Sequence, residues 1–212
     1  MQAFENRPQS QGFTLLEIAI VMAIIAVLAG ILTPVVMNYV EQARVTAAQA
    51  DVIAIRDAIT RFERDMGRFP MFNTGTGGLP DSSGDRVRLE GPGNAPKETV
   101  VSAWTSATPT DSDCTSGCGI GSLVDQLMTN APAYPTTTNL AKPFKWKGPY
   151  ISPQADPWGN KYLVNIINAK SGSADACFVL SAGPDGRVDT PFNISETSQA
   201  APTGDDIIAR IR

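Results

Sequence analysis

The sequence predicts an α+β chain in which one long N-terminal helix, apolar in its first half and amphipathic in its second, lies against a small antiparallel sheet. Three observations carry that expectation. Residues 18–40 contain no charged side chain. Directly after them Val45, Ala48, Val52, Ile55, Ile59, Phe62 and Met66 recur at steps of three and four, the spacing of one helix face. Runs rich in β-branched and aromatic residues, 161–167 and 176–181, occur in the C-terminal third, the first of them straight after a turn-forming Pro and Gly.

The helix comes first. Residues 18–32 are unbroken aliphatic, Ala, Gly and Met, and with Phe13 to Leu16 in front the run can cross a hydrocarbon core of about 30 Å. A cleaved secretory signal would have a basic start, a shorter apolar stretch and a small-residue cleavage site. Here residues 1–12 hold one Arg and one Glu, and a second helical pattern follows without a break. Pro34 would kink a helix without ending it in a membrane. Arg44, Asp51, Asp57, Arg61, Arg64 and Asp65 fall off the apolar stripe, and Gly67 is the natural stop. A helix over residues 13–66 would be on the order of 80 Å long, so only one end of it fits in a single domain. The expected organisation is a short polar leader (1–12), a membrane-spanning half (13–37), an amphipathic half (38–66) and a globular head (67–212).

Within the head, Gly and Pro residues from Gly75 to Pro96 make the first stretch loop-like. Residues 121–130 read as a short helix, 156–160 as a turn, and 161–167 and 176–181 as two strands separated by a polar loop. The sheet they form would cover the helix stripe.

Charge and composition exclude several classes of function. With 17 basic and 21 acidic residues the formal charge is −4, which leaves no basic excess for phosphates, so a nucleic-acid partner is not expected. The chain has no histidine. Ser-His-Asp and Cys-His nucleophiles, histidine zinc sites and facial-triad iron sites are therefore ruled out. The mean hydropathy of −0.07 averages an apolar stalk and a polar head. Trp104, Trp146 and Trp158 are scattered and read as core or turn anchors, and the Gly117-x-Gly119-x-Gly121 spacing, with no strand before it, does not read as a phosphate loop.

Two features invite chemistry. Glu17 is an ionisable group at the edge of an apolar span, which either snorkels to the headgroups or serves a function with a cationic partner. The segment supplies no Lys or Arg, but an α-amino group released by cleavage just upstream would serve. Asp185, Asp189, Glu196, Asp205 and Asp206 gather near the C-terminus among Gly and Pro. On the residues alone they are a solvated acidic loop or a set of hard oxygen ligands of the kind Ca2+ accepts, without the spacing of an EF-hand.

Gly12-Phe13-Thr14-Leu15-Leu16-Glu17, set directly ahead of the apolar run, resembles the prepilin cleavage motif of type IV pilins and type II secretion pseudopilins. Residues 44–70, 148–151, 156–162 and 178–186 and the Gly204-Asp205-Asp206-Ile207 ending resemble, in order, the G-type major pseudopilins, while residues 71–147 match little. The resemblance implies a type IV pilin-like fold. It also implies cleavage between Gly12 and Phe13 by the membrane prepilin peptidase, N-methylation of Phe13, and pairing of Glu17 with a neighbouring subunit's terminal amine. It implies Ca2+ held by Asp185, Asp205 or Asp206 or both, and the Ala182 carbonyl. Assembly rather than catalysis is then the expected work. The subunit would sit in the inner membrane with its head in the periplasm and polymerise with copies of itself and minor pseudopilins, under an inner-membrane platform and its assembly ATPase. A type IV pilus subunit, and a membrane-anchored periplasmic enzyme or binding protein, are the alternatives. In an oxidising compartment Cys114 and Cys118 favour a small disulfide with Cys177 a buried strand thiol, although Cys177 paired with either remains open.

Overall fold

The structure, a computed structural model, describes residues 12–71, 86–98, 104, 119–137, 144–169, 173–197 and 202–212. It falls into two compact units, one ending at Gln42 and the other beginning at Ala43. Helix α1 (Leu15–Met66) contributes to both.

In the first unit Thr14 caps the helix. Its Oγ1 accepts the Glu17 amide at 3.2 Å, and its carbonyl accepts the Ile18 amide at 3.3 Å, the arrangement that satisfies the orphan donors of a first turn. Pro34 lies inside the helix without ending it. The carbonyl facing the proline ring belongs to Gly30, the residue four back, and Gly30 has open space around it. Residues 12–40 are exposed throughout.

In the second unit α1 buries Ala48, Val52, Ile55, Ala58, Ile59, Phe62 and Met66, the stripe the spacing predicts with Ala58 added and Val45 only partly covered. The Phe62 ring meets Tyr134 and Tyr150 edge-on at 4.9 and 5.5 Å. Polar ties fix the same face: the Tyr162 hydroxyl donates to Asp51 at 2.9 Å, and the Lys145 amide donates to the Asp65 carbonyl at 3.1 Å. The helix ends where Gly67 takes φ +68°, a left-handed conformation, with the Phe144 ring occupying the space a Cβ would need.

The strands are β1 (Arg86–Glu90), β2 (Lys97–Glu98), β3 (Gly119–Ser122), β4 (Leu163–Val164), β5 (Phe178–Ser181), β6 (Arg187–Val188) and β7 (Ile207–Arg210). Five of them form one sheet in the order β3-β1-β4-β5-β7, while β2 and β6 pair separately. Leu89 faces Val164, Leu163 faces Leu180 and Val179 faces Ala209, all antiparallel. The sheet is nevertheless mixed, because β1 and β3 run parallel. A parallel pair needs a long connection, and β1 ends at Glu90 while β3 begins at Gly119.

Local readings shift accordingly. The Gly- and Pro-rich stretch after α1 contains β1, whose buried Leu89 anchors it. In place of a helix over 121–130 stand β3 and a π-helical turn, Asp125–Thr129, closed by Asn130 at φ 55°. The strand expected over 161–167 stops at Val164, and a 3-10 turn, Ile166–Ala169, follows. Asn165 is the reason: fully buried, it turns its amide to backbone groups across the sheet. Trp104 packs edge-on to Phe178 and Phe192 and donates its Nε1 to the Thr190 carbonyl, a core anchor as expected. Cys177 is a free thiol buried in the sheet, whose burial pushes its pKa up. Cys114, Cys118 and residues 1–11 of the leader lie outside the described residues.

Candidate functional site

The N-terminal site is built by the cap. Gly12 and Phe13 precede the helix, Phe13 with 80% of its surface exposed, and Thr14 marks the boundary. Glu17, three residues after the cap, stands exposed on the first turn of a helix whose N-terminus carries partial positive charge. α1 is the one helix among the described residues long and apolar enough to cross a membrane, and none of its apolar stretch is covered by the rest of the chain.

The second site lies in the loops around β6 and ahead of β7. Ligand oxygens of Asp185, Asp189 and Asp205 all lie within 4.8 Å of one another. Each is brought there by local geometry. The Asp185 amide donates to Asp205 Oδ2 at 3.1 Å, and the Arg187 amide to Asp185 Oδ1 at 2.8 Å. Gly183 and Gly204, both with positive φ, let the loops close: a Cβ at Gly183 would strike the Asp205 carbonyl, and one at Gly204 the Asp189 carboxylate. The 156–160 turn braces this loop from behind. Asp156 accepts the amides of Trp158 and Asn160 and the Ser181 hydroxyl, and the Asn160 side chain packs where Gly186 has no Cβ.

Of the residues expected as ligands, Asp185 and Asp205 come together. Asp189, read in the sequence only as part of the acidic run, joins them. Asp206 is turned elsewhere: its Oδ2 accepts the amides of Asp189 and Thr190 at 2.9 and 2.6 Å, which fixes the backbone of Asp189. Burial pushes the Asp206 carboxyl up to about 6, against the hydrogen bonds from Thr190 and the Asp189 amide and together with the charge of Asp189. Its Oδ1 is buried without a hydrogen-bond partner. Ala182 is buried at the end of β5, just before the loop. Glu196 stands apart, 3.8 Å from the Arg212 guanidinium. Three clustered carboxylates with an orphaned buried carboxylate oxygen beside them in sequence fit a hard cation that takes oxygen ligands in flexible geometry.

Residues 7–33 match the model of the prokaryotic N-terminal methylation motif, and residues 124–196 match that of the type II secretion system protein G. The chain is 28% identical to the type II secretion system core protein G of Escherichia coli over 88% of its length and 90% of the relative's. It is 25% identical to the core protein G of Dickeya chrysanthemi over 88% of its length and 85% of the relative's. A type IV major pilin of Neisseria gonorrhoeae is 34% identical over 32% of this chain and 41% of that pilin. No solved structure matches.

Proposed function

We propose that the chain is a G-type major pseudopilin of type II secretion, within the type IV pilin superfamily, a structural subunit that polymerises into a periplasmic pseudopilus driving protein secretion. The observation that carries this reading is a match to the methylation motif that runs into an exposed apolar helix, with the match to protein G following in the same chain. Cleavage between Gly12 and Phe13 leaves Phe13 as the terminal, N-methylated residue and keeps the Thr14 cap intact. Glu17 then pairs with the terminal amine of a neighbouring copy. In low dielectric that attraction is strong, and leaving either charge unpaired is costly. Exposure of Gly12 and Phe13 ahead of the helix supports access by the prepilin peptidase.

In this reading the helix resides in the inner membrane, the head lies in the periplasm, and minor pseudopilins, the secretion platform and its ATPase are the further partners. The acidic cluster of Asp185, Asp189 and Asp205 holds Ca2+, with the Ala182 carbonyl and Asp206 as neighbouring oxygens. A bound cation would tie three loop segments that have few apolar residues of their own.

Mass spectrometry of the native N-terminus tests the reading: a chain beginning with methylated Phe13 supports it, and one retaining residues 1–12 overturns it. Glu17→Ala should leave insertion and cleavage intact and reduce incorporation into filaments. The second reading, a type IV pilus subunit, is favoured only by the partial match to the gonococcal pilin, and surface pili lost on deletion of the gene, with secretion unaffected, would select it.

A further inference from the structure

One carboxylate oxygen of the 156–160 turn is committed outside the turn. Asp156 is buried, and its Oδ1 accepts the Trp158 and Asn160 amides at 3.1 and 2.7 Å. Its own amide donates to the Asn160 carbonyl at 2.9 Å, so those bonds alone close the turn. Oδ2 instead accepts the hydroxyl of Ser181, fully buried at the end of β5, at 2.9 Å.

Ser181 passes the contact on to the acidic loop. Its Oγ accepts the Gly183 amide at a long 3.4 Å, and that N–H belongs to the same peptide unit as the Ala182 carbonyl. The unit is trans, and in a planar trans peptide the N–H and C=O point opposite ways. Holding the N–H toward Ser181 therefore also sets the direction of the carbonyl, away from Ser181. Asn160 touches the far end of the same loop, its Nδ2 lying 3.3 Å from where a Cβ on Gly186 would stand. The Gly186 amide donates back to the Gly183 carbonyl at 3.3 Å. Asp185 sits between these points, with ligand oxygens of Asp189 and Asp205 within 4.8 Å.

We propose that Asp156 is a positioning residue for the cation, acting through the Ser181 hydroxyl to hold the Ala182 carbonyl as a ligand alongside Asp185, Asp189 and Asp205. This deepens the calcium reading above and rests on it. Ligands of a metal are aimed by the hydrogen bonds behind them, and the Asp156–Ser181 bond is the one that reaches the Ala182 peptide from the sheet side. The buried Asp206 oxygen without a partner marks the same place as short of a positive group. The two oxygens of Asp156 thus divide their work: the turn depends on Oδ1 and the loop on Oδ2.

The test uses the full-length chain in detergent. Calorimetric titration with Ca2+ gives the affinity, and Tb3+ luminescence lifetimes in H2O and D2O count the waters on the bound ion. Ser181→Ala deletes the hydroxyl. It should raise the calcium dissociation constant about 10–100-fold and add a water to bound Tb3+ where the carbonyl is lost. Asp156→Asn keeps an acceptor for the two turn amides but donates its NH2 to the Ser181 oxygen in competition with the Gly183 amide, and should move both readouts in the same direction. A merely structural link would lower the melting temperature in EDTA while leaving affinity and water count as in the wild type, and that result overturns the proposal. Should Ser181→Ala fail to fold, Asp156→Asn decides on the same two readouts. A wild-type chain that binds neither ion would instead refute the calcium reading.

Discussion

Asn165 offers the sharpest test of how the head holds together. It is wholly buried, and its Nδ2 donates to the carbonyls of Ala176 and Phe192 at 2.9 and 2.8 Å while its Oδ1 accepts the Phe178 amide at 2.7 Å. The side chain stands in for a ladder bond at the point where β4 stops, and so joins β5 to the segment after β6. Asn165→Ala would strand the Phe178 amide in the core, at a cost of about 1–3 kcal/mol, and the Phe192 carbonyl at a similar or smaller one. The Ala176 carbonyl keeps a weak donor, Asn168 Nδ2 at 3.4 Å, and loses less. Together with the small cavity, the expected loss is about 3–5 kcal/mol. Asn165→Asp should be at least as damaging, because a carboxylate retains the acceptor, loses both donors and adds a buried charge. Urea unfolding of the full chain in detergent, followed by tryptophan fluorescence, gives the difference at unchanged slope. A loss under about 1 kcal/mol for Asn165→Ala would show that water or backbone movement satisfies these groups, and the argument for Asn165 as the sheet's internal tie would fail.

Other outcomes follow from the same contacts. Phe62→Ala removes a fully buried ring with two aromatic neighbours and should cost about 3–5 kcal/mol, read from the same unfolding curves. At Glu90, burial by itself would raise the pKa, but the hydrogen bond from Lys161 and the charge of the buried Arg88 outweigh it and hold the carboxyl below its usual 4.5. The contribution of Glu90 to stability is therefore present above pH 4.5 and lost as the pH falls through its lower folded value. Glu90→Gln should flatten that acid limb while lowering stability at neutral pH, and an unchanged limb would remove the role. Calcium at 100 times its dissociation constant should stabilise the head by about 2.7 kcal/mol, a rise in melting temperature of roughly 5–10 °C. Asp185→Asn and Asp189→Asn should abolish the rise, and an equal rise in both variants would show that the cation binds elsewhere.

What the sequence made legible is what repeats or what punctuates. The stripe from Ala48 to Met66 announced its own buried face because a helix face is sampled many times over, and Gly67 announced its end. The strands were harder because each is short: Leu163–Val164 and Ile207–Arg210 offer too few residues for alternation to stand out, and their identity comes from the partners they find. Asn165 is instructive here. Its neighbours favour a strand, yet a polar side chain with both donor and acceptor groups breaks the run by offering the backbone another partner. The acidic cluster was legible in composition but not in geometry. Nothing in the sequence says that Asp206 spends an oxygen on the amides of Asp189 and Thr190, or that Gly204 opens the space in which Asp189 meets Asp185 and Asp205.

The two units obey different solvents. In the head, apolar side chains are removed from water by one another, and the stability of that arrangement depends on details such as Asn165 and Phe62. Along residues 13–40 every large apolar side chain is exposed, so lipid or another copy of the chain must cover it. Moving such a side chain from lipid to a neighbouring helix changes its hydrophobic free energy little, because both surroundings are apolar, and close packing decides what gain remains. On the proposed function Glu17 is the exception, since a charge is costly in hydrocarbon and would be relieved by a neighbouring copy's amine. The balance between membrane and filament is therefore set by few residues near the helix start. On the proposed function, Glu17, more than any apolar residue of the span, is where substitution should separate membrane insertion from assembly.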